Sequence, residues 1–241
     1  MSTNLFSKSV IAGAAFVVLL VMGAMVRPPS AGAKNDNNGS QDEKEMIQIG
    51  LTVAPVRLNM AGKDPSLVGL GSYIVNVTGD CNGCHSAGPS TEFVNPTGNP
   101  YLRQPPYTGT TMVNPATYLG GGRDFGLFPP RPATLPQSQL HIISRNLTPD
   151  KSGLPEGGRT LSEFIQIMRT GVDLDHAHPN CVNNVPGPDC MLAPFDGDKL
   201  QVMRWPAFRN MTDHQLEALY TYLSTVPCLE GGPGEPSPRC E

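Results

Sequence analysis

Residues 64–85 read Asp64-Pro65-Ser66-Leu67-Val68-Gly69-Leu70-Gly71-Ser72-Tyr73-Ile74-Val75-Asn76-Val77-Thr78-Gly79-Asp80-Cys81-Asn82-Gly83-Cys84-His85. Asp64 is an N-cap residue, and Pro65 suits the first helical position, where a missing N–H costs nothing. Leu67, Leu70, Ile74 and Val77 recur at helical spacing, and Gly79 is a stop signal. A helix is therefore predicted to end just before Cys81-Asn82-Gly83-Cys84-His85.

That Cys-x-x-Cys-His run carries the chemistry. Two thiols three residues apart can each add to one vinyl group of a haem, and the adjacent imidazole then lies under the iron as its proximal ligand. At this composition chance supplies only about 0.003 such runs in the chain. A redox dithiol would need a thioredoxin-like βαβ pattern around it, and a zinc ribbon would need a second Cys-x-x-Cys. The sequence offers neither.

Two further helices are marked downstream. Thr160-x-x-Glu163 is a capping box leading into Leu161, Phe164, Ile165 and Met168, with Gly171 as the stop. Thr212-x-x-Gln215 opens another, with Leu216, Leu219, Tyr220 and Leu223 on its apolar face and Pro227 beyond it. Little argues for a sheet. Thr52–Leu58 is the best extended candidate, interrupted by Pro55. With 26 glycines and 25 prolines in 241 residues, the fold class is mostly α with long Pro/Gly-rich loops. Solenoid repeats, collagen triplets and sustained heptads are all missing.

Residues 1–33 read as a signal peptide or a membrane anchor. Lys8 precedes an apolar run ending at Val26, and Ala31-Gly32-Ala33 fits a cleavage site. Either reading places the rest of the chain outside the cytoplasmic membrane. Residues 34–63 read as a flexible linker and extended lead-in, because Lys34–Glu45 contains no apolar residue. The formal charge is −4. Removing Lys8 and Arg27 leaves 15 basic against 21 acidic residues, a charge of −6, with no Lys/Arg stripe to attract nucleic acid. In an exported chain the remaining four cysteines pair locally as Cys181–Cys190 and Cys228–Cys240. The second pair would pin a tail, residues 228–241.

The chain resembles the monohaem c-type cytochromes, in particular those related to cytochrome subunits of membrane-bound dehydrogenases. The resemblance rests on Cys81-x-x-Cys84-His85, Tyr118-Leu-Gly-Gly-Gly-Arg-Asp-Phe125, Asn146-Leu-Thr-Pro-Asp150, the helix ending Arg169-Thr-Gly171, and Met203-Arg-Trp-Pro-Ala-Phe208 followed by Met211-Thr-Asp213. It implies a class I cytochrome c-like domain over residues 64–227, with its first and last helices crossed. Gly71, Tyr73 and Tyr220 would suit that close contact. The stretches 86–116 and 172–200 exceed what a compact cytochrome needs, and the resemblance assigns them no role.

An electron-transfer haem wants two strong axial ligands. Met203 sits in a loop, restrained and shielded by Trp205-Pro206, and the resemblance also places the distal ligand there. Met211 has a ready alternative role in a hydrophobic staple with Leu216, and Met168 has one in core packing. Met112, Met191 and His141 carry no further signal; His176 and His178 form a His-x-His in a polar loop, and His214 is expected to be solvated. Arg123 is either a partner for a haem propionate or a loop arginine. Asn146 resembles the family's haem-edge loop and equally suits a turn. Trp205 is a third candidate haem contact.

The expectation is an exported carrier of one electron on one haem c, meeting a donor dehydrogenase and an acceptor oxidase or cytochrome. The nearest alternative is a fixed cytochrome subunit of a dehydrogenase complex. A peroxidase or a gas sensor would need an open sixth position.

Overall fold

The computed structural model describes residues 36–95, 97–102, 111–231 and 238–241. The proposed signal or anchor, residues 1–33, lies outside the described residues. Among those described, no helix is long and apolar enough to cross a membrane. The chain runs α1 (Asp36–Val53), α2 (Pro65–Tyr73), α3 (Cys81–Cys84), α4 (Pro89–Glu92), β1 (Asp124–Leu127), β2 (His141–Ile143), α5 (Pro155–Gly158), α6 (Leu161–Thr170), α7 (Trp205–Phe208) and α8 (Asp213–Leu223). Among these α3, α4, α5 and α7 are single turns.

Helix α2 starts as its cap residues dictate: the Asp64 carboxylate accepts from the Ser66 N–H at 2.8 Å. It is flanked by α1 on one side and α8 on the other, and glycines let the backbones touch. A Cβ on Gly69 would lie 2.6 Å from the Ile47 carbonyl oxygen of α1. One on Gly71 would lie 2.0 Å from the Ala218 carbonyl oxygen of α8. Burial on two sides makes Val68, Ser72 and Val75 core residues alongside Leu70 and Ile74. The helix ends in a π turn, Ile74–Thr78. The wider turn shifts the helix's faces, and Val77, expected on the apolar one, stands 47% exposed.

The N-terminal lead-in differs from the linker the sequence suggested. Residues 36–53 form α1, whose Met46 and Ile47 pack on the core. Its second half is held by tertiary contact, the Ser72 hydroxyl donating to the Gly50 carbonyl at 2.7 Å, and towards the middle of the helix Glu43 meets His214 of α8 at 3.2 Å. The polar first half prolongs a helix already fixed, which composition alone does not reveal. Residues 54–60 form no strand, yet Ala54, Val56, Leu58 and Met60 also pack on the core.

Both expected capping boxes form, at Thr160/Glu163 and Thr212/Gln215. Tyr222, rather than Tyr220, packs beside Gly71. Its hydroxyl lies 2.8 Å from that of Tyr118, and Asn76 donates to it at 3.2 Å. Tyr220 turns instead to α6, donating to the Arg159 carbonyl at 2.9 Å, with its ring 5.7 Å from Phe164. A two-stranded antiparallel ribbon, β1–β2, lies within a stretch where no strand was expected. It is short and bulged, so it left no alternating pattern to read.

Both local disulfides are present, Cys181–Cys190 and Cys228–Cys240. Arg131 fastens the first loop to the segment before β2, donating to the carbonyls of Gly187 (2.7 Å), Cys190 (2.6 Å) and Pro136 (2.9 Å).

Candidate functional site

Asp80, in left-handed conformation (φ +46°), turns the chain from α2 into the motif turn α3. The His85 N–H then closes the turn on the Cys81 carbonyl at 2.9 Å. The segment Tyr118–Arg123 wraps it from outside: Leu119 N–H donates to the Asn82 side chain (2.9 Å), Gly121 N–H to the His85 carbonyl (2.9 Å), and Arg123 to the Gly83 carbonyl. Gly121 has φ +70°, and a Cβ there would sit 2.4 Å from the Arg145 carbonyl carbon. The glycine run is needed for this close approach.

Cys81 and Cys84 are unbridged, Cys84 exposed and Cys81 half-buried. Burial, with Asp80 and Cys84 nearby, pushes the Cys81 thiol up to about 12. A neutral thiol is a poor nucleophile, unlike the leading cysteine of a redox dithiol. The Nδ1 of His85 lies 2.7 Å from the backbone carbonyl oxygen of Arg145. A carbonyl only accepts, so Nδ1 carries the proton and Nε2 keeps its lone pair. Burial also holds the imidazole pKa below its usual value, favouring this neutral form.

These groups border a cavity of about 770 Å³, within the size range of cofactor sites. Its apolar side includes Ile74, Phe164, Leu219 and Leu223. Three methionines, Met168, Met203 and Met211, also line it. One end is charged. Arg145 pairs with Asp173, with Asp175 at 2.9 Å and with Glu156 at 3.5 Å, and Arg159 pairs with Asp175. Glu156 is almost wholly buried, and desolvation raises its pKa despite both arginines.

The other candidates fall in several places. Met203 follows Val202, a β-branched residue at φ +66°, and its N–H donates to the Gln201 carbonyl at 2.6 Å. This strained three-residue turn aims the methionine segment along the cavity. Trp205 does not line the cavity. Its ring covers Gly171, where a Cβ would lie 2.2 Å away, and its Nε1 donates to the Leu200 carbonyl at 3.2 Å. It braces the Met203 loop against the end of α6. Arg123 is likewise off the cavity wall, stacked 5.0 Å from the Phe125 ring centroid. Asn146 is at the wall, its Oδ1 capping Thr148 N–H at 2.9 Å and its Nδ2 donating to the Leu229 carbonyl at 3.0 Å. His176 faces Asp198 at 3.5 Å, whereas His178 donates to the His141 carbonyl at 3.1 Å. His141 itself borders the cavity, with Nδ1 2.8 Å from Asp124. Met191 is buried away from it and Met112 is exposed.

No protein-family model, curated protein or solved structure matches the chain. The donor set must therefore be judged on its own chemistry. Two unbridged thiols one helical turn apart, an imidazole with Nε2 available and thioethers around the same cavity suit a covalently attached haem. Sequence reasoning missed Arg145, Glu156, Asp173 and Arg159. They come from three separate segments, around residues 145, 156–159 and 173, and no spacing announces them. Arg145 adjoins Asn146, Arg159 adjoins the Thr160 cap and Asp173 follows Gly171 closely, but none of those motifs points to an ion-pair cluster.

Proposed function

We propose that the protein is an electron carrier holding one c-type haem, attached through Cys81 and Cys84, with His85 and Met203 as axial ligands. The observation that carries this reading is the His85–Arg145 hydrogen bond beside two unbridged thiols at the border of one cavity. Bound there, a haem supplies one-electron chemistry at its iron. Arg145 fixes the ring and tautomer of His85 through its carbonyl, as an outer partner does for a metal-ligating imidazole. Trp205 and Gly171 restrain the loop of Met203, and Phe164, Leu219 and Leu223 on the cavity wall would keep water from a haem bound there.

The chain would work outside the cytoplasmic membrane, between a donor dehydrogenase and an acceptor oxidase or cytochrome. The two disulfides support an oxidising compartment. The test is production in a host that matures c-type haem, followed by denaturing electrophoresis and a pyridine haemochrome spectrum. Haem should stay with the polypeptide in the wild type and be lost in Cys81→Ala/Cys84→Ala. Two free, titratable thiols at 81 and 84 in the exported protein would sink the proposal.

A further inference from the structure

The C-terminal tail brings a buried cation to the charged end of the cavity. Arg239 is 5% exposed and lines the cavity wall. It donates through Nη2 to the carbonyls of Thr148 at 2.6 Å and Asn146 at 3.3 Å. Its Nη1 lies 3.6 Å from where a Cβ of Gly157 would stand, next to Glu156. The tail is clamped on both sides. The Glu230 carboxylate accepts from the N–H groups of Arg239 (2.9 Å) and Cys240 (3.2 Å), and the Lys151 N–H donates to the Arg239 carbonyl at 3.0 Å. The Cys228–Cys240 disulfide then ties the segment to the end of α8.

We propose that Arg239 is the cation that receives the haem's carboxylates, and that the Cys228–Cys240 disulfide makes the tail part of the cofactor site. This rests on the haem reading above. A haem is apolar except for two carboxylates on one edge, so that edge belongs at the charged end of the cavity. There Arg145 and Arg159 already face three carboxylates, Glu156, Asp173 and Asp175. Asp150 and Lys151 on the same wall offset each other. Two more carboxylates there would add negative charge beside Glu156 and Asp173, which are largely out of water, and such a position favours a cation on the same wall. Arg239 stands on that wall. Main-chain carbonyls orient its guanidinium, and its planar fork suits a carboxylate.

The test uses the haem-loaded full chain and reads two quantities, the midpoint reduction potential and the thermal midpoint. A cation beside the haem favours the ferrous state, so Arg239→Gln should lower the potential. The control is Arg57→Gln, an exposed arginine off the cavity wall, which should leave the potential near wild type. Arg239→Lys should keep the wild-type potential although, like Arg239→Gln, it loses thermal stability. Cys228→Ser/Cys240→Ser should move the potential in the same direction as Arg239→Gln. Equal potentials in Arg239→Gln and Arg57→Gln, or equal shifts in Arg239→Gln and Arg239→Lys, would overturn the role of the charge. An unshifted potential in the cysteine pair variant would overturn the role of the disulfide. Should Arg239→Gln not accumulate, Arg239→Lys decides the role of the charge: a potential equal to that of Arg57→Gln supports it, and a lowered one overturns it. A wild-type chain without covalently attached haem would instead overturn the reading beneath this inference.

Discussion

His85 donates its Nδ1 proton to the carbonyl of Arg145, sixty residues along the chain, at 2.7 Å. The position of that carbonyl depends on where the Arg145 side chain is held, and Asp173 is its most buried partner. Asp173→Ala should lower stability by roughly 1–3 kcal/mol, because it leaves a largely buried guanidinium short of an acceptor. Chemical denaturation of wild type and variant measures this. The same variant should broaden the His85 ring resonances, since the carbonyl is no longer fixed. Unchanged stability would mean that Asp175 and Glu156 suffice.

The helix crossings give a sharper contrast. Gly71→Ala pushes a methyl group against the Ala218 backbone of α8 and should cost at least about 3 kcal/mol, the upper end of overpacking. Gly62 has φ +70° with nothing near its Cβ position. Gly62→Ala should therefore cost only about 1–2 kcal/mol, from left-handed backbone alone. Equal losses at the two positions would mean that α2 and α8 are not closely packed.

Distal ligation separates two methionines that share the cavity. In haem-loaded protein, Met203→Ala should keep covalent attachment but abolish the iron–thioether charge-transfer band and lower the potential. Met211→Ala should keep the band. The reverse pattern would reassign the ligand to Met211.

Glu156 gives a pH dependence with a definite sign. Desolvation raises its pKa in the folded state, so the folded form holds this proton more tightly than the unfolded one. Its contribution to stability is full below the ordinary carboxylate range and is lost as pH rises through the raised value. Glu156→Gln lacks this component. Denaturation midpoints should thus fall more steeply for wild type than for Glu156→Gln as pH rises from the ordinary carboxylate range. Parallel profiles would show that Arg145 and Arg159 fully compensate the burial.

Local chemistry made the α2, α6 and α8 starts readable, because a cap side chain and its backbone partner lie within three residues of each other. The two disulfides were readable for a similar reason, each closing a short loop. Helix α1 was not: its first half is polar, and what holds it is Gly69 and Ser72 of α2 with His214 of α8. Tyr220 and Tyr222 show the same limit, since both occupy plausible positions on α8 and only the arrangement of α2 and α6 decides which faces which. At the site, Cys81, Cys84, His85 and Met203 announce themselves through a motif and a loop signature. The charged end is assembled from residues 145, 156, 159, 173, 175 and 239, a juxtaposition that only the folded chain creates.

The central place of α2 also bears on the order in which the body assembles. Its contact with α1 spans a short loop, whereas its contact with α8 joins segments about 150 residues apart, and distant pairings form more slowly. During that interval the helical pair α1–α2 can exist while Leu219 and Leu223 have yet to arrive as a wall. Until α8 docks, the cavity beside the turn bearing Cys81 and Cys84 lacks the part of its wall that Leu219 and Leu223 form. Docking of α8 completes that wall, so the last helix of the chain is also the one that closes the cavity.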